Sequence, residues 1–390
     1  MLKITAYTTT SALGLGRMAA LDALLEGGSG LSPNDFSDPR LDTWIGRVRG
    51  VEEVVLPEGL GRFECRNHQL ATLALHQDGL MEAVAEARER YGPRRVGVFL
   101  GTSTSGIGHT ESAYRARLGE ALPGWFSYDH SQSMHVLGEY VSLLLGLNGP
   151  THVISTACSS SAKVFATAWR HILTGVCDAA VVGGCDSLCM TTLCGFESLQ
   201  LLSGKPCRPW DMDRDGISIG EAAGFVLLER GRVDDSAVCL LGYGESSDAW
   251  HMSSPHPEGR GARMAMEAAI HHAGLPATAV DYVNLHGTGT PANDAAEDRA
   301  VMEVFGSSVP CSSTKGYTGH TLGAAGVTEA VIGILVLEYG FIPGSVGTSQ
   351  LDPGLRCNIV CETEEREVVR LISNSFGFGG NNCSLLLGRT

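Results

Sequence analysis

The chain has 390 residues, 43% hydrophobic and 18% charged, enough for a large core in two domains or one duplicated unit, and not the composition of a disordered chain. Its formal net charge of −15 argues against nucleic acid as a partner, and an acidic protein partner meets the same objection unless a local patch is basic. The 12 cysteines include no CxxC pair, no secretory signal precedes them and no apolar run reaches about 18 residues, so the expectation is a cytoplasmic protein with reduced thiols and no membrane span.

Residues 3–7 read as a strand, and residues 14–27 as a helix with Met18, Leu21, Leu24 and Leu25 on its apolar positions. Residues 35–62 are rich in Pro, Gly and charge and read as an irregular surface excursion. Residues 67–91 read as one or two amphipathic helices. Residues 96–100 form a buried strand ending in the loop Gly101-Thr-Ser-Thr-Ser-Gly106, and residues 131–146 an apolar helix. After the break at Asn148-Gly-Pro150 comes a short strand over residues 152–155, then a helix over residues 159–174. Strands follow at 178–184 and 223–229.

The second half opens with a strand over 238–244 and a helix over 261–274. Residues 281–285 form a strand that runs into His286-Gly-Thr-Gly-Thr290. A helix over 293–305, a strand over 310–313 and a strongly apolar helix over 324–339 follow. Strands at 370–375 and 384–387 flank the turn Gly377-Phe-Gly-Gly380. Strands alternate with helices in both halves, which predicts α/β layers with buried sheets. Residues 98–104 and 283–290 both read as a strand and then a Gly/Thr loop, a faint internal echo.

Four segments carry chemistry. Cys158 falls where a strand becomes a helix, so free helix N–H groups lie behind its sulfur. These favour a thiolate and can hold negative charge on a bound carbonyl oxygen, which is how a cysteine nucleophile is built. His286 ends a strand in a loop of small residues that leaves room for substrate, with Thr288 and Thr290 offering hydroxyls to an amide or a pantetheine arm. A lone histidine there reads equally as a hydrogen-bonded core residue. His320 lies five residues after Lys315 and nine before Glu329, groups able to orient and tune an imidazole; taken alone, Lys315 and Glu329 read equally as an ordinary ion pair. In Asn374-Ser-Phe-Gly-Phe-Gly-Gly-Asn-Asn382 the glycines free Phe378 to swing and its N–H to face a site. The spacings Cys185/Cys189 and Cys357/Cys361 lack the histidine pair that would complete a zinc site.

In this order the motifs Thr156-Ala-Cys-Ser-Ser160, Arg208-Pro-Trp-Asp-Met-Asp-Arg-Asp-Gly216, His286-Gly-Thr-Gly-Thr-Pro291, Thr314-Lys-Gly-Tyr-Thr-Gly-His320 and Ser375-Phe-Gly-Phe-Gly-Gly380 resemble the elongating β-ketoacyl-acyl-carrier-protein synthases, the Cys-His-His condensing enzymes. The resemblance runs from the N-terminus to about Arg389. It departs at Asn381-Asn382, where the family usually has Thr-Asn, and at Thr104, where many members carry an apolar residue or glycine.

The resemblance implies a thiolase-like fold, two similar α/β halves (1–232 and 233–390) in five α-β-α-β-α layers. It implies acyl transfer to Cys158, with the N–H groups of Cys158 and Phe378 as oxyanion hole, and decarboxylation of malonyl-carrier protein assisted by His286 and His320. Lys315 and Glu329 would position and tune His320. Thr288 and Thr290 would hold the pantetheine, Phe376 would line the substrate site and Phe378 would gate the acyl pocket. Thr104 would line the acyl tunnel, and Tyr128 would close it from across a dimer interface. The implied partners are an acyl carrier protein, docked at Arg208 with Arg62, Arg66 and Lys163 as weaker candidates, and a second subunit in a homodimer or heterodimer. No cofactor or metal is implied. The alternative is one subunit, active or chain-length-setting, of a heterodimeric pair.

Overall fold

A computed structural model describes residues 1–36, 40–230 and 237–389. The boundary expected at 232/233 falls outside the described residues.

Among the described residues, eleven strands follow one hydrogen-bonded path, and a twelfth, Gly14–Leu15, pairs with the end of the first. In chain order they are β1 (Leu2–Ser11), β2 (Val96–Gly101), β3 (Thr151–Ile154), β4 (Ala179–Asp186), β5 (Ala222–Glu229), β6 (Val238–Ser247), β7 (Tyr282–Asn284), β8 (Pro310–Ser312), β9 (Asn358–Ile359), β10 (Arg370–Gly377) and β11 (Asn381–Arg389). Across the sheet the order is β9-β8-β7-β10-β11-β6-β1-β5-β4-β2-β3. Read inward from its own edge, the first half runs β3-β2-β4-β5-β1, and the second, after the extra edge strand β9, runs β8-β7-β10-β11-β6. The pattern of pairing repeats too. The β2–β3, β2–β4, β7–β8 and β7–β10 pairs are parallel, while β4–β5, β5–β1, β10–β11 and β11–β6 are antiparallel. The echo between residues 98–104 and 283–290 is therefore structural, because β2 and β7 hold equivalent places. The halves join where β1 meets β6, antiparallel, through Leu2↔Leu240 and Lys3↔Cys239.

Strand alternation sends side chains to opposite faces, and three apolar layers result. Val98, Leu100, Val181 and Phe225 face the outer helices Arg66–Leu75, Leu80–Tyr91 and Val136–Leu145. Phe99, Val182, Val226, Tyr282, Leu371 and Leu385 face a central layer made by the helices Ser160–Leu173 and Ala325–Tyr339. Val283, Ile372 and Leu386 face the helices Arg260–Ala273 and Pro291–Phe305. Helix, sheet, helix, sheet, helix are the five layers expected. Residues 322–339 do form an apolar stretch of membrane-spanning length, contrary to the sequence expectation, but 89% of it is buried inside the protein as the middle layer.

Local departures have physical reasons. The excursion at 35–62 is not merely surface: strand Trp44–Gly46 pairs with Ser32–Pro33 and Ile219–Gly220, and Ile45 and Val51 are fully buried. The first helix is Gly16–Glu26, stopped by left-handed Gly27, and it buries Leu21 and Leu24 while Met18 and Leu25 stay exposed. The helix expected from residue 131 starts at Val136, after a wide turn over Tyr128–Gln132. The helices Ile107–Arg115 and Met190–Ser198 carry no long apolar stripe and went unpredicted.

Candidate active site

The β3 strand stops at Ile154, and Thr156-Ala157-Cys158 turns the chain into the helix Ser160–Leu173. Ala157 sits at φ +51°, a left-handed conformation uncommon for a residue with a Cβ. The Ser160 hydroxyl braces this elbow, accepting from the Thr156 N–H at 2.9 Å and donating to the Ala157 carbonyl at 2.6 Å. Cys158 is thereby pushed out at the helix start, as the sequence predicts, yet it is only 6% exposed. Burial pushes its thiol up to about 11; the Lys315 charge and the N–H groups of Phe378 and Cys158 pull the other way and do not win. The expectation that the helix start alone favours a thiolate is thus corrected by desolvation.

His286 follows β7. Its N–H and that of Gly287 both donate to the buried carboxylate of Glu297, at 2.8 Å each, and the Asn374 amide donates to the same group at 3.1 Å. Burial raises Glu297 to about 7 despite these donors. Sequence reasoning missed Glu297; its only signal was an acidic residue on the apolar face of a helix that starts beside His286. That helix, Pro291–Phe305, is capped by Thr290, whose Oγ accepts from the Asn293 N–H at 3.4 Å and lies 3.0 Å from the Thr288 hydroxyl.

The ammonium of Lys315 donates to the His286 carbonyl, faces His286 Nδ1 at 3.4 Å and pairs with Glu329 at 2.5 Å. This corrects the predicted contact: Lys315 reaches His286, Glu329 holds Lys315, and Lys315 acts on His320 through its charge. Burial raises Glu329 to about 7, with Lys315 opposing. His320 Nδ1 instead accepts the Leu322 N–H at 3.2 Å. Each imidazole thus has a donor at Nδ1, leaving Nε2 to carry the proton. Burial and then Lys315 hold both histidines well below their ordinary value, so both are neutral.

These groups converge. Donor atoms of Cys158, His286 and His320 lie within 4.8 Å of one another, and the two rings meet edge to face at 5.2 Å. A cavity of about 250 Å³ opens above them, lined by Thr288, Thr290, Phe376, Phe378 and Asn382. A second cavity of about 320 Å³, mostly apolar, also reaches Cys158 and is lined by Thr104, Phe196, Leu199 and Leu322. Phe378 borders both, its ring 5.5 Å from Phe196. Gly377 makes this possible, since a Cβ there would meet the Thr156 carbonyl at 2.8 Å and the Cys158 nitrogen at 3.2 Å.

The sequence profile described as "Beta-ketoacyl synthase, N-terminal domain" matches residues 58–233, and "Beta-ketoacyl synthase, C-terminal domain" matches residues 237–349. The chain belongs to the β-ketoacyl synthase family. The synthase is 38% identical over 311 residues to 3-oxoacyl-[acyl-carrier-protein] synthase 2 of Vibrio harveyi, covering 75% of each chain. It is 32% identical over 383 residues to the synthase 2 of Rhizobium meliloti, covering 91% of this chain and 84% of the other. Among solved structures it is similar to the ketosynthase ApeO, in complex with its chain length factor ApeC, from Xenorhabdus doucetiae. That likeness has a TM-score of 0.91 and 38% identity, over 100% of this chain and 98% of the other.

The remaining predicted positions of the synthase scatter. Thr104 is 2% exposed and its hydroxyl donates to Asp186 at 2.9 Å. Tyr128 is 60% exposed, away from both cavities. Arg66 is withdrawn from the docking set: its guanidinium holds the fully buried Glu221 through two nitrogens, at 2.8 and 2.6 Å, and also Glu52. Arg208 bonds the Asp213 carbonyl and reaches Asp215 at 3.3 Å. Arg62 is exposed over the Phe63 ring, and the Lys163 ammonium meets Asn381 Oδ1 at 3.4 Å.

Proposed function

We propose that this synthase makes 3-oxoacyl-acyl-carrier proteins by decarboxylative Claisen condensation. Cys158 Sγ attacks the thioester carbonyl of an acyl-carrier protein, its proton passes to the departing pantetheine sulfur, which leaves as the thiol, and the acyl group stays on the cysteine. The N–H groups of Cys158 and Phe378 hold the oxyanion. A malonyl-carrier protein then loses CO₂, and its enolate oxygen accepts the Nε2–H groups of His286 and His320. The enolate carbon attacks the acyl-cysteine carbonyl, Cys158 thiolate leaves, and the 3-oxoacyl chain remains on the carrier. Neutral imidazoles suit this role, because each offers a hydrogen bond without placing a second cation beside Lys315.

The observation that carries this reading is the convergence of Cys158 with two buried histidines, each facing a donor at Nδ1, where two cavities meet. The 12 unpaired cysteines fit a reducing compartment such as the cytoplasm. The carrier protein would enter over Arg208, with Arg62 and Lys163 as further positive charges, and a related subunit would cover Tyr128.

The test separates the two half-reactions. Cys158→Ala is expected to lose acyl transfer, read by intact-protein mass spectrometry, and to keep CO₂ release from malonyl-carrier protein. His320→Ala is expected to lose CO₂ release and condensation. Condensation by Cys158→Ala at the wild-type rate would overturn the assignment.

A further inference from the structure

Asp186, the last residue of β4, is fully buried, and no cation pairs with it among the described residues. It is instead surrounded by donors. Oδ1 accepts from the Thr102 hydroxyl at 2.6 Å, the Ser103 and Thr104 N–H groups at 2.8 and 2.9 Å, and the Thr104 hydroxyl at 2.9 Å. Oδ2 accepts from the Ser103 hydroxyl at 2.5 Å and, across the seam between the halves, from the Gly323 N–H at 2.6 Å. The fit around Gly323 is tight: a Cβ there would lie 2.7 Å from Asp186 Oδ2 and 2.8 Å from the Ser103 nitrogen.

What this carboxylate fixes on the far side is the residue before Gly323. Leu322 sits at φ +56°, a strained conformation for a branched side chain, and such strain persists only where the surroundings enforce it. The Leu322 N–H is the group that meets His320 Nδ1, while its side chain borders the cavity beside Cys158. Thr104 borders the same cavity.

We propose that Asp186 is a positioning residue for the condensation, acting through Gly323 and Leu322 to hold His320 in its Nε2–H tautomer, and tying that tautomer to the wall of the acyl cavity. The inference rests on the role proposed for His320. It acts through geometry: with the Leu322 amide turned away, nothing described here selects which ring nitrogen of His320 carries the proton.

Asp186→Asn tests it, because an amide turned with its oxygen toward residues 102–104 points its NH₂ at the Gly323 N–H, donor against donor. Gly323→Ala attacks the same contact from the other half and gives a second route should the first variant fold poorly. In both, ¹⁵N-imidazole NMR of histidine-labelled protein, with the His320 signal assigned by its loss in His320→Gln, is expected to show a second tautomer. CO₂ release from malonyl-carrier protein, measured in a Cys158→Ala background, is expected to fall tenfold or more. Alkylation of Cys158 by iodoacetamide in the otherwise wild-type chain is not expected to slow in Asp186→Asn, since the Asp186 charge itself helps hold that thiol up. A single wild-type tautomer in both variants, or unchanged CO₂ release, would overturn the proposal. Should Cys158→Ala itself release no CO₂, the reading of the site fails instead, and the tautomer measurement alone decides for Asp186.

Discussion

At the scale of single residues, Lys315 is the charge that the site depends on. It lowers the Cys158 thiol and both histidines at once, against desolvation at the thiol and together with desolvation at the imidazoles. With the thiol near 11, iodoacetamide alkylation of wild-type protein should keep rising through pH 9 and 10 instead of levelling near the ordinary cysteine value of about 8.5. Lys315→Met removes a lowering influence from all three groups. Alkylation at pH 8 should therefore slow, and His320 should protonate at a higher pH, which histidine NMR reads directly. Faster alkylation in Lys315→Met would contradict the sign of this interaction. Arg208→Glu belongs to the same scale. It should raise KM for carrier-bound substrate roughly tenfold, or about 1.4 kcal/mol, and leave small-molecule alkylation unchanged.

Among the secondary-structure elements, the turn Phe378–Gly380 sets how closely one half approaches the nucleophile of the other. Gly377→Ala would place a methyl 2.8 Å from the Thr156 carbonyl, so the turn must retreat and take the Phe378 N–H with it. Acyl transfer should fall at least tenfold, and by roughly a hundredfold or more if the oxyanion donor is lost outright, while the thermal midpoint moves little; an unaltered acylation rate would show that this N–H is dispensable. Phe378 itself was legible in the sequence, because glycines on both sides announce a free aromatic residue. So were Cys158, from a strand-to-helix switch, and the strands that carry His286 and the core. Glu297 and Asp186 were not. Their importance lies in which backbone N–H groups they receive, and those partners come from segments distant in sequence. The target of Lys315 was misread for the same reason: closeness in sequence favoured His320, whereas the fold delivers the ammonium to His286.

For the molecule as a whole, buried ionisable groups predict how stability varies with pH. His68, held near 4, and His286 and His320, both depressed, cannot take the protons that the unfolded chain accepts below about 6.5. Stability from these three is present above that pH and is lost as pH falls. Glu297 and Glu329, raised to about 7, work the other way: folded, they keep protons that the unfolded chain releases between about 4.5 and 7. His109, His152 and His272 are depressed as well, and Asp294 is raised beside the two glutamates, so six groups against three leave a net uptake of protons on unfolding near pH 5.5. Urea unfolding should therefore show stability falling as pH falls there, and faster below about 4.5, where the glutamates cease to compensate. A stability maximum at pH 5 would refute this balance. On the proposed reading, a second subunit completes the acyl cavity. Thr104→Phe should block loading of all but the shortest acyl chains, and Tyr128→Ala should lengthen the longest chain accepted. An unchanged chain profile in both would remove these residues from the tunnel.

The seam between the halves has a consequence for how the chain is made. Lys3 lies between Glu229 and Cys239, so the first strand to leave the ribosome, apart from the two-residue strand Gly14–Leu15 at its end, has no strand neighbour until more than half of the protein has been synthesised. At about 5–20 residues per second, that wait is roughly 10–45 s. Throughout it, Leu2, Ile4 and Tyr7, all bound for the central core, stay exposed in a segment of high strand propensity. The pairing of β1 with β6 is the one that unites the two halves, and β6 must then wait for β11 on its other side. Deleting residues 2–7 would leave β5 and β6 facing each other across an empty lane. The expected product is not a weakened enzyme but two unpaired strand edges that seek other chains, seen as insoluble protein at every expression temperature.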